Sequence, residues 1–237
     1  SILALIVVGV AVFAPQIAPY DPLDAVMLES LQAPSSAHPF GTDKLGRDLL
    51  SRVIFGTRTS LVMTLCLVAV IFVIGTFLGV IAGYFGGIVD GVIMRIADMM
   101  ISFPGLVLAI AIAGMLGPNL VNAVISIAAV SWTKYARLGR SLVLKIRHCD
   151  YVEAAIVTGS KTPYMILRYM LPNALPTLII TAATDIGGMM LELAAMSFLG
   201  FGAKPPAPEW GYMLNEGRAC MQSAPWMMLY PGLAIFL

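Results

Sequence analysis

The sequence predicts an all-α, polytopic membrane protein with about six transmembrane helices. Three observations predict it. Of 237 residues, 59% are hydrophobic and only 11% are charged, where soluble domains carry about a quarter charged residues. Mean hydropathy is +0.90. The apolar residues fall in successive runs of membrane-spanning length, separated by polar or Gly/Pro-rich breaks. A net charge of +1 carries no nucleic-acid signature. Cys66, Cys149 and Cys220 share no metal or redox spacing, so no disulfide or metal centre is assigned.

Residues 1–18 read as the end of a first span, closed by Pro15 and Pro19. That run lacks a small-residue cleavage site and is followed by more spans, which argues against a signal peptide. The chain opens and stops inside apolar runs, as a trimmed piece of a longer protein would. Residues 19–58 are polar and turn-rich. Within them Leu45, Leu49, Leu50, Val53 and Ile54 recur at helical spacing, with Arg47, Asp48, Ser51 and Arg52 opposite. This predicts an amphipathic helix at the interface leading into the next span. Asp48 and Arg52 have the favourable order for an i,i+4 pair, about 0.3 kcal/mol. Apolar runs follow at about 59–82, 92–115, 120–136 and 173–197, and a last one starts near Trp226. Gly83, Gly86 and Gly87 break the first of these from the next, and Gly117-Pro118-Asn119 turns the chain. Arg95 and Asp98, at i,i+3, are expected to pair at the start of the 92–115 span. The implied division is 1–58, a span plus an external segment, and 59–237, the membrane core.

Residues 150–172 form a polar, basic island between two apolar runs. Asp150 with Glu153 has the spacing of a capping box. Gly159 can take the left-handed conformation that stops a helix. Thr162 then caps a second helix, with Pro163 at its first position, and Pro172 marks the boundary before the next run. The prediction is a short helical hairpin outside the membrane. Arg137, Arg140, Lys145, Arg147, Lys161 and Arg168 place residues 137–171 in the cytoplasm. Residues 19–58 and the Gly/Pro-rich 198–225 then lie outside, where Trp210 is expected as an interfacial aromatic.

Asp185 and Glu192 are costly residues in the 173–197 run, at about 2.5–3.5 kcal/mol for a carboxylate at helix centre. Seven residues apart, they share a stripe with Thr181, Gly188, Met189 and Met196. The readings stay open: a translocation path for a cationic cargo (Asp185, Met189, Glu192), or a buried polar contact with the partner permease or protonated carboxyls in a helix interface. The chain has 15 methionines, which are soft ligands and equally flexible packing residues. His38 and His148 read as solvated or interfacial loop histidines.

The hairpin sequence carries a resemblance. Glu153-Ala154-Ala155, Gly159 and Leu171-Pro172 keep the register of the EAA loop of ATP-binding cassette importer permeases, with Tyr169 where that pattern has an aliphatic residue. Gly41-Thr42-Asp43-Lys44-Leu45-Gly46-Arg47-Asp48 is similar to the G-T-D-x-L-G-R-D signature of one permease type in the peptide/nickel class. So are Ala82-Gly83-Tyr84-Phe85-Gly86-Gly87 with Asp90, Met94-Arg95-Ile96-Ala97-Asp98, Phe198-Leu199-Gly200-Phe201-Gly202, and Pro208-Glu209-Trp210-Gly211.

The resemblance implies a type I importer permease with a MetI-like core, multi-pass in a prokaryotic inner membrane. It implies a second homologous permease subunit, two cytosolic ATP-binding subunits and an extracytoplasmic substrate-binding protein, set in membrane lipid. ATP and Mg would sit on the partners, with no cofactor in this chain and no enzyme activity of its own. Asp150, Glu153, Ala154, Ala155, Gly159 and Pro163 would couple to the ATPase. Residues 185–191 and 195–200 look closer to nickel permeases, with import of dipeptides or oligopeptides as the alternative. An ion-coupled secondary transporter is a more distant alternative, without the internal repeats such folds show. Phosphate-loop, His-Glu-x-x-His and Gly-x-Ser-x-Gly motifs are all missing from the sequence.

Overall fold

The computed structural model describes residues 2–236, and among them every regular element is helical. In chain order the α-helices are α1 (Ile2–Ile17), α2 (Leu49–Phe85), α3 (Gly87–Ile101), α4 (Gly105–Leu116), α5 (Leu120–Arg147), α6 (Asp150–Val157), α7 (Thr162–Met165), α8 (Leu171–Phe198), α9 (Trp210–Arg218) and α10 (Trp226–Phe236), with a 3-10 turn at Met27–Glu29 between α1 and α2.

Among the described residues two stretches, Leu49–Phe85 and Thr162–Phe198, are long and apolar enough to cross a membrane. The bent pair α3 and α4 qualifies if taken as a single span, and two shorter apolar helices cover Leu5–Ile17 and Trp226–Phe236.

Several boundaries differ from the sequence reading. The amphipathic segment before residue 59 is not a separate helix but the first turns of α2, a rod of 37 residues. At 1.5 Å per residue that is about 55 Å, well beyond a hydrocarbon core of about 30 Å. The expected boundary at 58/59 therefore falls inside a continuous helix. The 92–115 run is broken, with α3 and α4 meeting at 92° across Ser102-Phe103-Pro104. Pro104 has no N–H to give and pushes the residue before it out of the helical region. Helix α5 runs to Arg147, well past the expected end at 136. Pro172 ends nothing: a π turn at Ile166–Met170 joins α7 to α8. A widened turn accommodates a proline whose N–H is missing from the ladder.

The chain divides into two compact units. One comprises Ser1–Leu65, Ile112–Val124 and Met189–Leu237. Its core is Leu49, Trp210 and Met213, packed by Phe40, Val53, Met190, Trp226 and Tyr230. Phe40 stacks on Tyr230 with centroids 3.9 Å apart. Trp210 is buried here and donates Nε1–H to the Val53 carbonyl at 2.9 Å, so it is not an interfacial aromatic.

The other unit comprises Cys66–Ala111 and Ile125–Gly188. There α2 and α5 meet backbone to backbone. Gly75, Gly79 and Gly83 follow one another at four-residue steps, so they share a face. A Cβ on Gly79 would sit 2.4 Å from the Ala136 carbonyl oxygen, and one on Gly75 2.5 Å from that of Trp132. Only the missing side chains allow the approach. Ala97, Trp132 and Ala136 fill the space beside it. Asp90 accepts from Arg140 Nε at 2.5 Å, and Asp98 accepts from Arg137 at 2.5 Å. The expected Arg95–Asp98 pair does not form, because Arg137 on α5 takes the carboxylate.

Candidate functional site

The hairpin is built from α6, a glycine turn and α7. Its stop is the one the sequence predicts. Gly159 has φ +80°. Ser160 donates N–H to the Ala155 carbonyl and Gly159 to that of Ile156, both at 3.0 Å. These paired bonds close the helix as a Schellman motif. Its start differs. The capping residue is Cys149, with extended φ −81° and ψ 140°, and no side chain caps the helix. Asp150 is one residue too late for the capping box, because it already has helical backbone. Asp150 and Glu153 instead place two negative charges in the first turn, where the helix dipole favours them. Lys161, not Thr162, precedes α7, and its side chain makes no capping bond.

Val152, Ala155, Met165 and Met170 face inward and are buried. Tyr169 sits 6.1 Å from the Tyr151 ring and 5.9 Å from that of Tyr164. The aromatic side chain at this position therefore ties α6 to the start of the long helix. Outward, Glu153, Ala154 and Pro163 are exposed, beside an apolar group of Ile156, Val157, Tyr164 and Leu167, with Val157 87% exposed. Lys161 and Arg168 rim it. An exposed apolar patch with a polar rim marks an interaction surface.

In α8, Asp185 is not a free acid. Lys134 on α5 donates to both of its oxygens, at 2.6 and 2.8 Å, and the Tyr135 hydroxyl donates to Oδ2 at 2.9 Å. Met189 and Glu192 are half-buried on the same helix. Met196 is fully buried, and Met213 and Met227 are buried too. Those three thioethers are packing groups.

A second polar construction surrounds the start of α2, and the sequence reading missed it. Arg47 Nε donates to Asp43 at 2.6 Å and its Nη2 to Glu216 at 3.0 Å. Arg52 Nη2 donates to the other Glu216 oxygen at 2.8 Å. All four side chains are buried. The expected Asp48–Arg52 pair does not form. Asp48 accepts from the Ser51 backbone and hydroxyl, and its Oδ1 lies 3.0 Å from His38 Nδ1. His38 is buried between Asp48 and Glu29 and is no solvated loop histidine. Nearby, Glu209 caps α9 by accepting from the Gly211 and Tyr212 N–H groups at 2.9 and 2.8 Å. Burial pushes the Glu209 carboxyl above the usual range, and those two donors pull it back.

Residues 75–237 match the family described as the binding-protein-dependent transport system inner membrane component. The chain belongs to this family. A dipeptide transport system permease protein, DppC, of Alkalihalophilus pseudofirmus is 43% identical over 228 residues, 96% of this chain and 75% of that one. A glutathione transport system permease protein, GsiD, of Pectobacterium atrosepticum is 40% identical over 238 residues, covering 100% of this chain and 79% of its own length. In fold the chain resembles a chain of the inward-facing MetNI methionine ABC transporter, at TM-score 0.65 and 20% identity, covering 79% of this chain and 90% of that one.

The family member is thus an all-α permease subunit of an ATP-binding cassette importer, seated in the inner membrane and not itself catalytic. Membership implies a partner permease, ATPase subunits and a binding protein. The buried network has a partial signal in the sequence. Asp43 and Arg47 stand at i,i+4, but Glu216 lies 169 residues from Arg47. The Asp185 partner has a clearer one, since a lysine inside the 120–136 apolar run demands an acid.

Proposed function

We propose that this permease carries short peptides across the inner membrane, in a complex whose ATPase subunits grip the α6–α7 hairpin. The observation that supports a peptide over nickel is the Lys134–Asp185 pair. The sequence points to nickel through the resemblance of residues 185–191 and 195–200 to nickel permeases, and an acid beside methionines fits a metal cargo. That acid is already neutralised by a lysine within 2.6 Å, and a net-neutral pair is a poor station for a bare cation. Met196, on the same stripe, is fully buried and offers no thioether to a passing ion. The relatives named for dipeptide and glutathione transport favour the same reading.

The hairpin suits coupling. Its Schellman stop and tyrosine contacts make it a rigid element. Asp150, Glu153, Ala154, Ala155, Gly159 and Pro163 supply its register, and the exposed apolar group fits a helix-in-groove contact. Closure of ATPases that bind ATP and Mg would then push the hairpin and rock the spans, an alternating-access motion. Asp185, Met189 and Glu192 remain the proposed path residues on α8.

The test is ATP-dependent uptake by the reconstituted complex, with labelled dipeptide and labelled nickel offered separately through the binding protein. Dipeptide uptake with no nickel uptake is expected, and the reverse would overturn the cargo. In the same vesicles Gly159→Val should abolish uptake and release the ATPase, because a β-branched residue resists φ +80°. Full uptake by that variant would refute the coupling role.

A further inference from the structure

Lys134 and Asp185 form an unequal pair. The Asp185 side chain is only 13% exposed, and its Oδ2 is held by the hydroxyl of Tyr135, a residue buried completely. The Lys134 side chain is 58% exposed and sits on a flexible four-carbon stem. If the two separate, the acid stays and the ammonium moves. Asp185 then keeps its Tyr135 bond and presents a vacated Oδ1.

The space beside the pair is open. Gly188 stands three residues after Asp185, on the same helix face, and a Cβ there would meet nothing within 4 Å. Nor would one on Gly187. A glycine inside a helix weakens it relative to alanine, and neither glycine is required by packing within this chain. Thr181, one turn before Asp185, adds a hydroxyl to the same face. A movable cation, a fixed acid and a bare stretch of helix thus lie together within the second unit.

We propose that Lys134 is a specificity-determining residue: parked on Asp185 when the path is empty, it swings to the terminal carboxylate of a peptide in transit. The vacated Asp185 oxygen then accepts from the peptide's ammonium end. The exchange replaces one neutral pair by two charge-assisted contacts, so a zwitterion enters without a net change of charge. A bare cation or a bare anion gains only half of this. The inference rests on the peptide reading above.

The experiment is uptake of a labelled free dipeptide by the complete complex in proteoliposomes, delivered by its binding protein. Lys134→Gln should cut uptake at least tenfold while the complex still copurifies. Lys134→Arg, which keeps a cation able to bind a carboxylate, should recover at least a third of the rate. Asp185→Asn keeps a partner for Tyr135, serves as a second variant, and should also lose at least tenfold. Wild-type uptake by Lys134→Gln would overturn the inference. So would loss of copurification in both Lys134 variants, which would mark the residue as a contact with another subunit. If the wild-type complex takes up no dipeptide, the cargo reading itself fails and the inference falls with it.

Discussion

Glu216 bonds two guanidinium groups at once, Arg47 at 3.0 Å and Arg52 at 2.8 Å. Asp43 supplies the second negative charge, so two cations meet two anions with almost no water. Buried ions are costly to desolvate, and such a group is tolerated only while every charge has its partner. Glu216→Gln keeps the shape and removes one charge. The expected loss is on the order of 3–5 kcal/mol, the usual consequence of orphaning a buried ion. In detergent the thermal unfolding midpoint of Glu216→Gln should drop well below wild type. Glu153→Gln, at an exposed acid of the hairpin, should leave it nearly unchanged, as surface substitutions do. Equal midpoints for the two variants would show that the network contributes nothing to stability. The same residues explain why the G-T-D-K-L-G-R-D segment reads as an interfacial helix face. A helical wheel places Arg47 and Arg52 opposite the leucines, and nothing local reveals that Glu216 will cover them.

At the scale of helices, α2 and α5 depend on missing side chains. A methyl group at position 79 would stand 2.4 Å from a backbone carbonyl oxygen of α5, and backbone cannot turn aside as a flexible side chain can. Gly79→Ala should therefore separate the two helices and strain the Asp90–Arg140 and Asp98–Arg137 pairs nearby. The folded complex should be recovered at a small fraction of the wild-type yield by size-exclusion chromatography. Gly187→Ala, with no neighbour within 4 Å of the new carbon, is the control and should be recovered in full. Equal yields would refute the close-packing account. Most helices are legible because hydropathy is a local property, and so is the stop at Gly159, because a left-handed glycine needs only its own turn. The cap at Cys149 rather than Asp150 is less so, since one residue of backbone conformation moves the start. The 92° break at 102–104 has its signal in Pro104, overridden by the length of the apolar run. The Lys134–Asp185 pair joins two runs that hydropathy treats separately.

For the molecule in its membrane, sidedness rests on α8 and on charge. Thr162–Phe198 is one helix, long and apolar enough to cross once, so the segments at its two ends face opposite compartments. The segment on its N-terminal side carries Arg137, Arg140, Lys145, Arg147 and Lys161, and Arg168 lies in the first two turns of the helix itself; the positive-inside rule assigns that end to the cytoplasm. On its C-terminal side, residues 199–209 carry one lysine, Lys204, which is exposed. A cysteine at each end reads this directly. Cys66, Cys149 and Cys220 are free thiols, so they are first replaced by serine or alanine. In that background Lys204→Cys should react with a membrane-impermeant maleimide in intact spheroplasts. Val157→Cys, at the hairpin tip, should react only in inside-out vesicles. Its labelling should fall when the ATPase subunits are present, because the hairpin is then covered, whereas labelling at 204 should not change. Labelling of Val157→Cys in intact spheroplasts would invert the topology and with it the assignment of the hairpin to the ATPase. Equal labelling of Val157→Cys with and without the ATPase would leave the topology standing and remove the hairpin as the docking element.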